Sequence, residues 1–180
     1  MTSGVTASVV VMAAALLVSP RLLGAGTPDS PSDAAATFAR SAVIGMQLSA
    51  KQGLERGKVP AAIAACVQRL EPSSFRDVFV SLLADLLTED ERRGAEAFFR
   101  SAVGRKYAQY GLLQLYAAVG ETPPSALPVF SAPEYQELEA FSRTAAGEKL
   151  IVRKVLSTPA AEGAINERTR HLYRSCGGKA

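Results

Sequence analysis

Residues 88–107 read TEDERRGAEAFFRSAVGRKY, and residues 131–150 read SAPEYQELEAFSRTAAGEKL. Both stretches open with the same helix signal, because Thr88 with Glu91 and Ser131 with Glu134 have the spacing of a capping box. Eight of the 20 aligned positions are identical, namely Glu91/Glu134, Glu96/Glu139, Ala97/Ala140, Phe98/Phe141, Arg100/Arg143, Ala102/Ala145, Gly104/Gly147 and Lys106/Lys149. The pattern predicts a duplicated helix-turn-helix unit, with copies at 88–107 and 131–150.

Each copy predicts a short capped helix followed by a second helix. The first helix buries its phenylalanine and ends at Ser101 or Thr144, which caps the next helix. A glycine follows in that second helix, at Gly104 and at Gly147. Since glycine inside a helix costs about 1 kcal/mol relative to alanine, its recurrence indicates that another backbone approaches closely there.

The remainder of the chain past residue 32 carries helix signals and no alternating strand pattern. Ser32 is placed to cap a first helix, Pro60 to occupy the first turn of a second, and Pro72 to open a third. Thr158 is placed to cap the last helix, which Gly177 ends. The clearest loop covers residues 120–128. We therefore predict one compact all-α domain of six to eight helices over residues 33–180.

Composition agrees with one ordinary domain. The chain has 180 residues, of which 48% are apolar and 21% charged, with a formal net charge of +3, two cysteines and one histidine. These values exclude a collagen-like chain, a wholly disordered chain, a zinc-finger protein and a dense disulfide scaffold.

The N-terminal stretch has the pattern of an export signal. Residues 9–18 form an unbroken apolar run, too short to cross a bilayer core that needs about 20 residues. Small residues follow at 24–26, where a signal peptidase would cut. The sequence predicts a signal peptide at 1–26, a short linker at 27–32 and a periplasmic or secreted protein. No lysine or arginine precedes the run, which departs from the usual signal pattern. The alternative is therefore an uncleaved inner-membrane anchor at residues 5–23, through which any membrane contact would be made.

The two cysteines, Cys66 and Cys176, belong to no Cys-x-x-Cys motif and to no histidine cluster, which disfavours a metal or redox site. In an exported chain an even number of cysteines favours a disulfide. We predict a single Cys66–Cys176 bridge, with two unrelated thiols as the alternative.

No convergent set of catalytic residues emerges from the sequence. His171 is the single histidine, and a Cys–His pair with Cys176 is the alternative to a solvated residue at a helix end. The acidic run 89–91 fits a helix first turn better than a calcium site. Capping accounts for Glu91 and Glu134, which would otherwise be candidates for paired acid and base. We expect no catalytic residue, no metal and no cofactor.

Two surface features are candidates for binding. Tyr107, Tyr110 and Tyr116 form a candidate interaction face, since tyrosine anchors are common at interfaces, although a core role is the simpler interpretation. A basic group near the C-terminus is either a solvated helix end or an anion site, and comprises Arg168, Arg170, Arg174 and Lys179, with Tyr173 among them. A nucleic-acid partner is not expected for an exported, nearly charge-balanced chain.

The first copy resembles a family of small exported bacterial proteins catalogued as domain of unknown function 2059. The family pattern is a T-E-x-E helix start followed by F-Y-x-S-P-x-G-x-K. The matching positions are Glu91, Phe98, Ser101, Gly104 and Lys106. Phe99 replaces the usual tyrosine and Ala102 the usual proline. The resemblance covers about residues 80–150, counting the degenerate second copy, and implies an all-α exported protein without assigning catalytic residues.

The sequence as a whole favours a non-catalytic exported protein of the bacterial envelope that acts through protein–protein interaction, with another envelope protein as its partner. A carrier or sensor of a small apolar ligand is the first alternative, which a deep pocket lined by the tyrosines would favour. An enzyme of unrecognised mechanism is the second, which a polar cleft holding Glu91, Arg100 and Lys106 with shifted pKa values would favour.

Overall fold

A computed structural model describes residues 32–179, which form helices and connecting turns and no strand. The predicted all-α class is confirmed, and the number of α-helices in this part of the chain lies within the predicted range. In chain order the helices are α1 (Asp33–Glu55), α2 (Ala61–Val67), α3 (Ser73–Leu86), α4 (Glu89–Arg100), α5 (Ala102–Ala118), α6 (Ala132–Ser142), α7 (Ala145–Gly147) and α8 (Pro159–Ser175). A π-helical turn (Glu148–Val152) and a 3₁₀ turn (Val155–Ser157) connect α7 to α8.

The predicted signal peptide at 1–26 and the alternative anchor at 5–23 lie outside the described residues. Within 32–179, no helix has the length and apolar character needed to cross a membrane.

Helix α1 begins at a doubly capped end. The Ser32 hydroxyl oxygen accepts from the Ala35 N–H at 3.0 Å, as predicted for its cap. The carboxylate of Glu96, on α4, also accepts from the N–H groups of Asp33 at 2.6 Å and Ala34 at 3.3 Å. Since the first N–H groups of a helix have no partner inside the helix, these bonds attach the start of α1 to α4.

Helix α1 is the centre of the fold and packs against α2, α3, α4 and α5. Its buried face carries small residues such as Ala35 and Ala39, which let neighbouring helices approach closely. The ring of Phe38 lies 5.9 Å from that of Phe79 on α3 and 5.3 Å from that of Phe99 on α4, measured between centroids. One hydrophobic core therefore joins α1, α3 and α4.

Helix α8 lies across α3 and α2, and Ala161 is its one buried residue. The far end of α8 is held covalently, because Cys176 forms a disulfide with Cys66 of α2, with their Cα atoms 5.6 Å apart. The predicted bridge is confirmed, and the alternative of two unrelated thiols was wrong.

Two helix starts differ in detail from the sequence-based expectation. Pro60 is the extended residue before α2, so it precedes the first turn in which we placed it. Thr158 does precede α8, but its hydroxyl donates to the Val155 carbonyl at 2.9 Å and no cap bond to α8 forms.

The second helix of the second copy is wound differently from that of the first. Helix α5 runs without interruption to Ala118, whereas α7 is followed by the π turn and then by Lys154, whose φ is +49°. The duplication of a helix-turn-helix unit therefore stays a prediction from the sequence. The two stretches nevertheless share several individual contacts, which are described below.

Proline substitutions at the α4–α5 junction should have opposite consequences. Ser101→Pro should lower the free energy of unfolding by about 2 kcal/mol or more, because proline removes the N–H that donates to Phe98 and the hydroxyl that caps α5. Ala102→Pro should leave stability within about 0.5 kcal/mol, since proline is tolerated at the first position of a helix and Ser101 already has the extended backbone that precedes proline. Urea unfolding measures both, and equal stabilities would contradict the assigned start of α5.

Candidate interaction surface

Glu91, a residue of the family pattern, joins the start of α4 to the π turn. The Thr88 N–H donates to its carboxylate at 2.7 Å, and the Glu91 N–H donates to the Thr88 hydroxyl at 3.3 Å, which completes the predicted capping box. Lys149 Nζ donates to the same carboxylate at 2.6 Å and to the Leu86 carbonyl at 3.1 Å. The carboxylate therefore holds two segments together.

Glu134, the counterpart of Glu91 in the second predicted copy, makes the corresponding contacts with a lysine of the first copy. The Ser131 N–H donates to the Glu134 carboxylate at 2.7 Å, and Lys106 Nζ contacts its two oxygens at 2.8 and 2.7 Å. The two ion pairs are reciprocal, since the lysine of each predicted copy binds the glutamate of the other.

These contacts keep both carboxylates ionised. The Lys149 ammonium, followed by the Thr88 N–H, lowers the pKa of Glu91 below its ordinary value. The Lys106 ammonium, followed by the Ser131 N–H, lowers the pKa of Glu134 to about 2. A general acid at neutral pH needs a raised pKa, so the geometry supports a structural role for both carboxylates and gives no support to an acid–base pair.

The other positions of the family pattern also hold these helices together. The rings of Phe98 and Phe141 are stacked, with centroids 3.8 Å apart and planes 3° from parallel. The Ser101 hydroxyl accepts from the Gly104 N–H at 3.0 Å, as predicted for its cap. A Cβ atom on Gly104 would lie 1.8 Å from the Phe98 carbonyl oxygen, so only glycine fits.

The same close approach recurs in the second copy. The Thr144 hydroxyl accepts from the Gly147 N–H at 3.1 Å, and a Cβ atom on Gly147 would lie 1.9 Å from the Phe141 carbonyl oxygen. The five residues of the family pattern thus all take part in packing, capping or ion pairing within the fold. The candidate interaction surface therefore lies elsewhere.

Removing the cation from the Glu134 pair should change how stability depends on pH. Glu134 has a folded pKa of about 2 against an ordinary 4.5, so its contribution is fully present above about pH 4.5 and is lost as the pH falls toward 2. Lys106→Met should therefore be less stable than the wild type at neutral pH, with a difference that shrinks between pH 4.5 and 2. Urea unfolding at a series of pH values measures this, and a difference independent of pH would contradict the proposed pairing. Arg143→Met is the control, because Arg143 lies at the end of α6 and pairs with Glu139 in a solvent-exposed ion pair.

Aromatic side chains of α5 and α6 lie near Phe130, which is half-buried against the core just before α6. Lys106 Nζ lies 5.1 Å from the centroid of the Phe130 ring, which suits a cation–π contact. The same ring is 6.2 Å from Tyr110 on α5 and 5.5 Å from Tyr135 on α6, between centroids. The ion pair that holds the predicted copies together thus also positions Phe130.

Large apolar side chains that are near Phe130 in the chain or near its ring are exposed. Val129 is 86% and Tyr135 58% exposed, and Leu127 and Tyr110 also lie in the exposed class. We call this group the aromatic patch, comprising Tyr110, Leu127, Val129, Phe130 and Tyr135. Grouped apolar exposure of this kind marks interaction sites, whereas single exposed apolar residues are ordinary.

The backbone next to the patch also lacks partners. Residues 126–130 have no regular secondary structure, and no backbone N–H or carbonyl of residues 122–130 is hydrogen-bonded to another described residue. Pro128 has no N–H to donate, whereas the amides and carbonyls of Leu127, Val129 and Phe130 have no hydrogen-bond partner among residues 32–179. The segment thus offers apolar side chains and backbone hydrogen-bonding groups together.

The three tyrosines of the predicted interaction face do not lie together on α5. Tyr110 belongs to the aromatic patch. Tyr107 packs at the edge of the core, 6.2 Å from the Phe98 ring between centroids, and burial raises the pKa of its hydroxyl. Tyr116 comes nine residues after Tyr107, which at 3.6 residues per turn places it about half a turn away around the helix. The sequence analysis did not identify the other four members of the patch. For Leu127, Val129 and Phe130 the available signal was an apolar group around Pro128 in a loop, whereas Tyr135 lies on α6 and gave no separate signal.

The remaining candidate chemistry does not converge. Cys176 is in the disulfide, so it is not available for a Cys–His pair with His171. Arg100 pairs with Asp33 at 2.8 Å, while Glu91 and Lys106 pair with other partners, so these three do not form one polar cleft. Among residues 32–179 no group of three or more histidine, cysteine, aspartate or glutamate side chains is placed to hold a metal ion.

Comparison with known proteins gives one match. No curated protein and no solved structure is significantly similar to the chain. A family described as "Uncharacterized protein conserved in bacteria (DUF2059)" matches residues 73–111, which comprise α3, α4 and the first part of α5. The match confirms the resemblance over the first copy and does not extend to the second. Over residues 73–111, the chain is thus similar to this bacterial family, whose pattern residues form the α4–α5 junction.

Proposed function

We propose that this protein is an exported, non-catalytic component of the bacterial envelope that binds another envelope protein through the aromatic patch. The observation that carries the proposal is the exposure of Val129 and Tyr135, at 86% and 58%, beside Phe130. Burying such a patch in a complex gives a favourable hydrophobic contribution that the free protein lacks.

Two observations support the envelope location. The apolar run at residues 9–18, followed by small residues, has the pattern of a signal peptide. The Cys66–Cys176 disulfide suits an oxidising compartment such as the periplasm, since cytosolic thiols are kept reduced.

The form of the patch indicates the kind of partner. The free amides and carbonyls of residues 126–130 can pair with the backbone of another chain, as in strand addition. Leu127 and Val129 can enter apolar pockets beside that backbone, while Tyr110 and Tyr135 flank it. A partner with an exposed sheet edge next to an apolar groove satisfies both requirements.

The test is a comparison of two serine-substituted variants with the wild type. Leu127→Ser/Val129→Ser removes apolar surface from exposed positions, so the fold should be retained. Val152→Ser is the matched control, because Val152 is 60% exposed but lies on the π turn. Affinity-tagged proteins expressed with the candidate signal intact are purified from the envelope fraction under matched conditions.

The proposal predicts one stoichiometric protein partner with the wild type and with Val152→Ser. The double variant should retain at least about tenfold less of it, because its affinity for the partner is lower. Equal recovery with all three proteins, or no stoichiometric partner with any, would contradict the proposal.

A further inference from the structure

A second feature of the molecule is a largely apolar, open groove bordered mainly by α1, α2 and α8, with a volume of about 490 Å³. Gly45 and Met46 of α1 lie along it, Val67 of α2 forms one side, and Ile165 and Tyr173 of α8 form another. The size falls in the range of small-molecule sites. None of Tyr107, Tyr110 and Tyr116 lines the groove, which is distinct from the aromatic patch.

The walls of the groove are held in place by the disulfide. Val67 follows Cys66 directly, and Tyr173 lies three residues before Cys176. The bridge thus fixes α8 against α2 at the point where both line the groove. A groove whose walls are covalently connected is preformed, so a ligand does not have to order it on binding.

The charged groups at the groove are cationic, beside the neutral polar residues Ser49 and Thr169. Arg170 and Lys179 line it, and no aspartate or glutamate does. Neither cation makes a hydrogen bond or an ion pair with any other residue in the part of the chain that the structure describes. Arg168, two residues before Arg170, instead pairs with Asp77 on the opposite side of α8. The basic C-terminal group noted in the sequence is thus divided, and part of it faces an apolar groove.

We propose that this groove binds an amphipathic anion with a single alkyl chain. The chain would lie along Gly45, Met46 and Ile165, out of water. The headgroup, a carboxylate or a phosphate monoester, would accept charge-assisted hydrogen bonds from Arg170 and Lys179. An apolar groove with a cationic rim and no carboxylate is complementary to this class of ligand and disfavours an alkyl cation.

Calorimetric titration of the oxidised protein with four defined probes tests the proposal. Dodecanoate and dodecyl phosphate supply the two headgroups, dodecyltrimethylammonium supplies the same chain with a cation, and acetate supplies the anion alone, all below their micellar concentrations. We expect at least one dodecyl anion to bind one per chain, at least about tenfold more tightly than the cation, with no binding of acetate. Tighter binding of dodecanoate would indicate a fatty acid as the source, and tighter binding of dodecyl phosphate a lipid phosphate. Equal affinity for the dodecyl anions and the cation, or no binding of either anion, would overturn the proposal.

Three variants locate the site. Gly45→Leu should abolish binding by filling the groove, and it should fold, because a Cβ atom at Gly45 meets nothing within 4 Å and leucine favours a helix. Arg170→Glu should weaken anion binding at least about tenfold. Arg174→Glu is the control on the same helix, since Arg174 lines the groove between α3 and α8 instead, and it should bind as the wild type does. Undiminished binding by Gly45→Leu, or equal loss in the two arginine variants, would refute this site.

Discussion

Replacing Gly104 with alanine is expected to lower the free energy of unfolding by about 3 kcal/mol or more. The added Cβ atom would lie 1.8 Å from the Phe98 carbonyl oxygen, 2.6 Å from its carbon and 2.9 Å from the Phe99 Cα atom. All three are backbone atoms, so no change of side-chain rotamer relieves the overlap, and overpacking of this kind is costly. Gly147→Ala should behave similarly, because its Cβ atom would lie 1.9 Å from the Phe141 carbonyl oxygen.

Two other helical glycines provide matched controls for this experiment. A Cβ atom on Gly94 of α4 or on Gly111 of α5 meets nothing within 4 Å. Alanine at either position should stabilise the protein by about 0.5–1 kcal/mol, since it favours the helix and restricts the unfolded chain. Urea unfolding of the four variants gives the comparison. A Gly104→Ala variant as stable as Gly111→Ala would contradict the packing described at the α4–α5 junction.

Removing the disulfide should have the largest effect on stability. Cys66 and Cys176 are 110 residues apart in the chain, and closing a loop of that length stabilises a protein by about 4–5 kcal/mol through the entropy of the unfolded chain. Cys66→Ala/Cys176→Ala should lose most of this free energy. Helix α8 should become the least protected element in hydrogen exchange, because it has a single buried residue, Ala161.

Chemical reduction of the wild type is the control for the double variant. The reduced protein should gain the mass of two hydrogen atoms and unfold at about the same urea concentration as the double variant. A double variant within about 1 kcal/mol of the oxidised wild type would show that the bridge contributes little and that α8 is held by its packing alone.

Several helix starts could be predicted from the sequence because capping is local, although Pro60 and Thr158 differ in detail from the expectation. The capping box of Thr88 and Glu91 and the cap at Ser101 each involve residues within one helical turn. The recurrence of Gly104 at Gly147 appears when the two stretches of sequence are aligned. The Glu96 carboxylate that caps α1 could not be predicted, because it lies 63 residues from Asp33 and only the packing of α4 against α1 brings the two together.

The candidate surface was harder to predict than the fold for a related reason. Glu134 and Lys106 both recur in the repeat, but the sequence does not show that each lysine pairs with the glutamate of the other copy. The role of Phe130 depends on that pairing, because Lys106 lies against its ring. The exposure of Val129 depends on which surfaces the other helices leave uncovered. Sequence periodicity contains neither kind of information.

Site-specific photocrosslinking in intact cells shows whether the aromatic patch contacts a partner protein. A photoreactive amino acid is placed at position 129, in the aromatic patch, and in a second strain at position 152, on the π turn. We expect one dominant crosslinked envelope protein from position 129 and none of it from position 152. The same crosslinks from both positions, or none from position 129 in folded protein, would contradict a role for the aromatic patch as the functional interface.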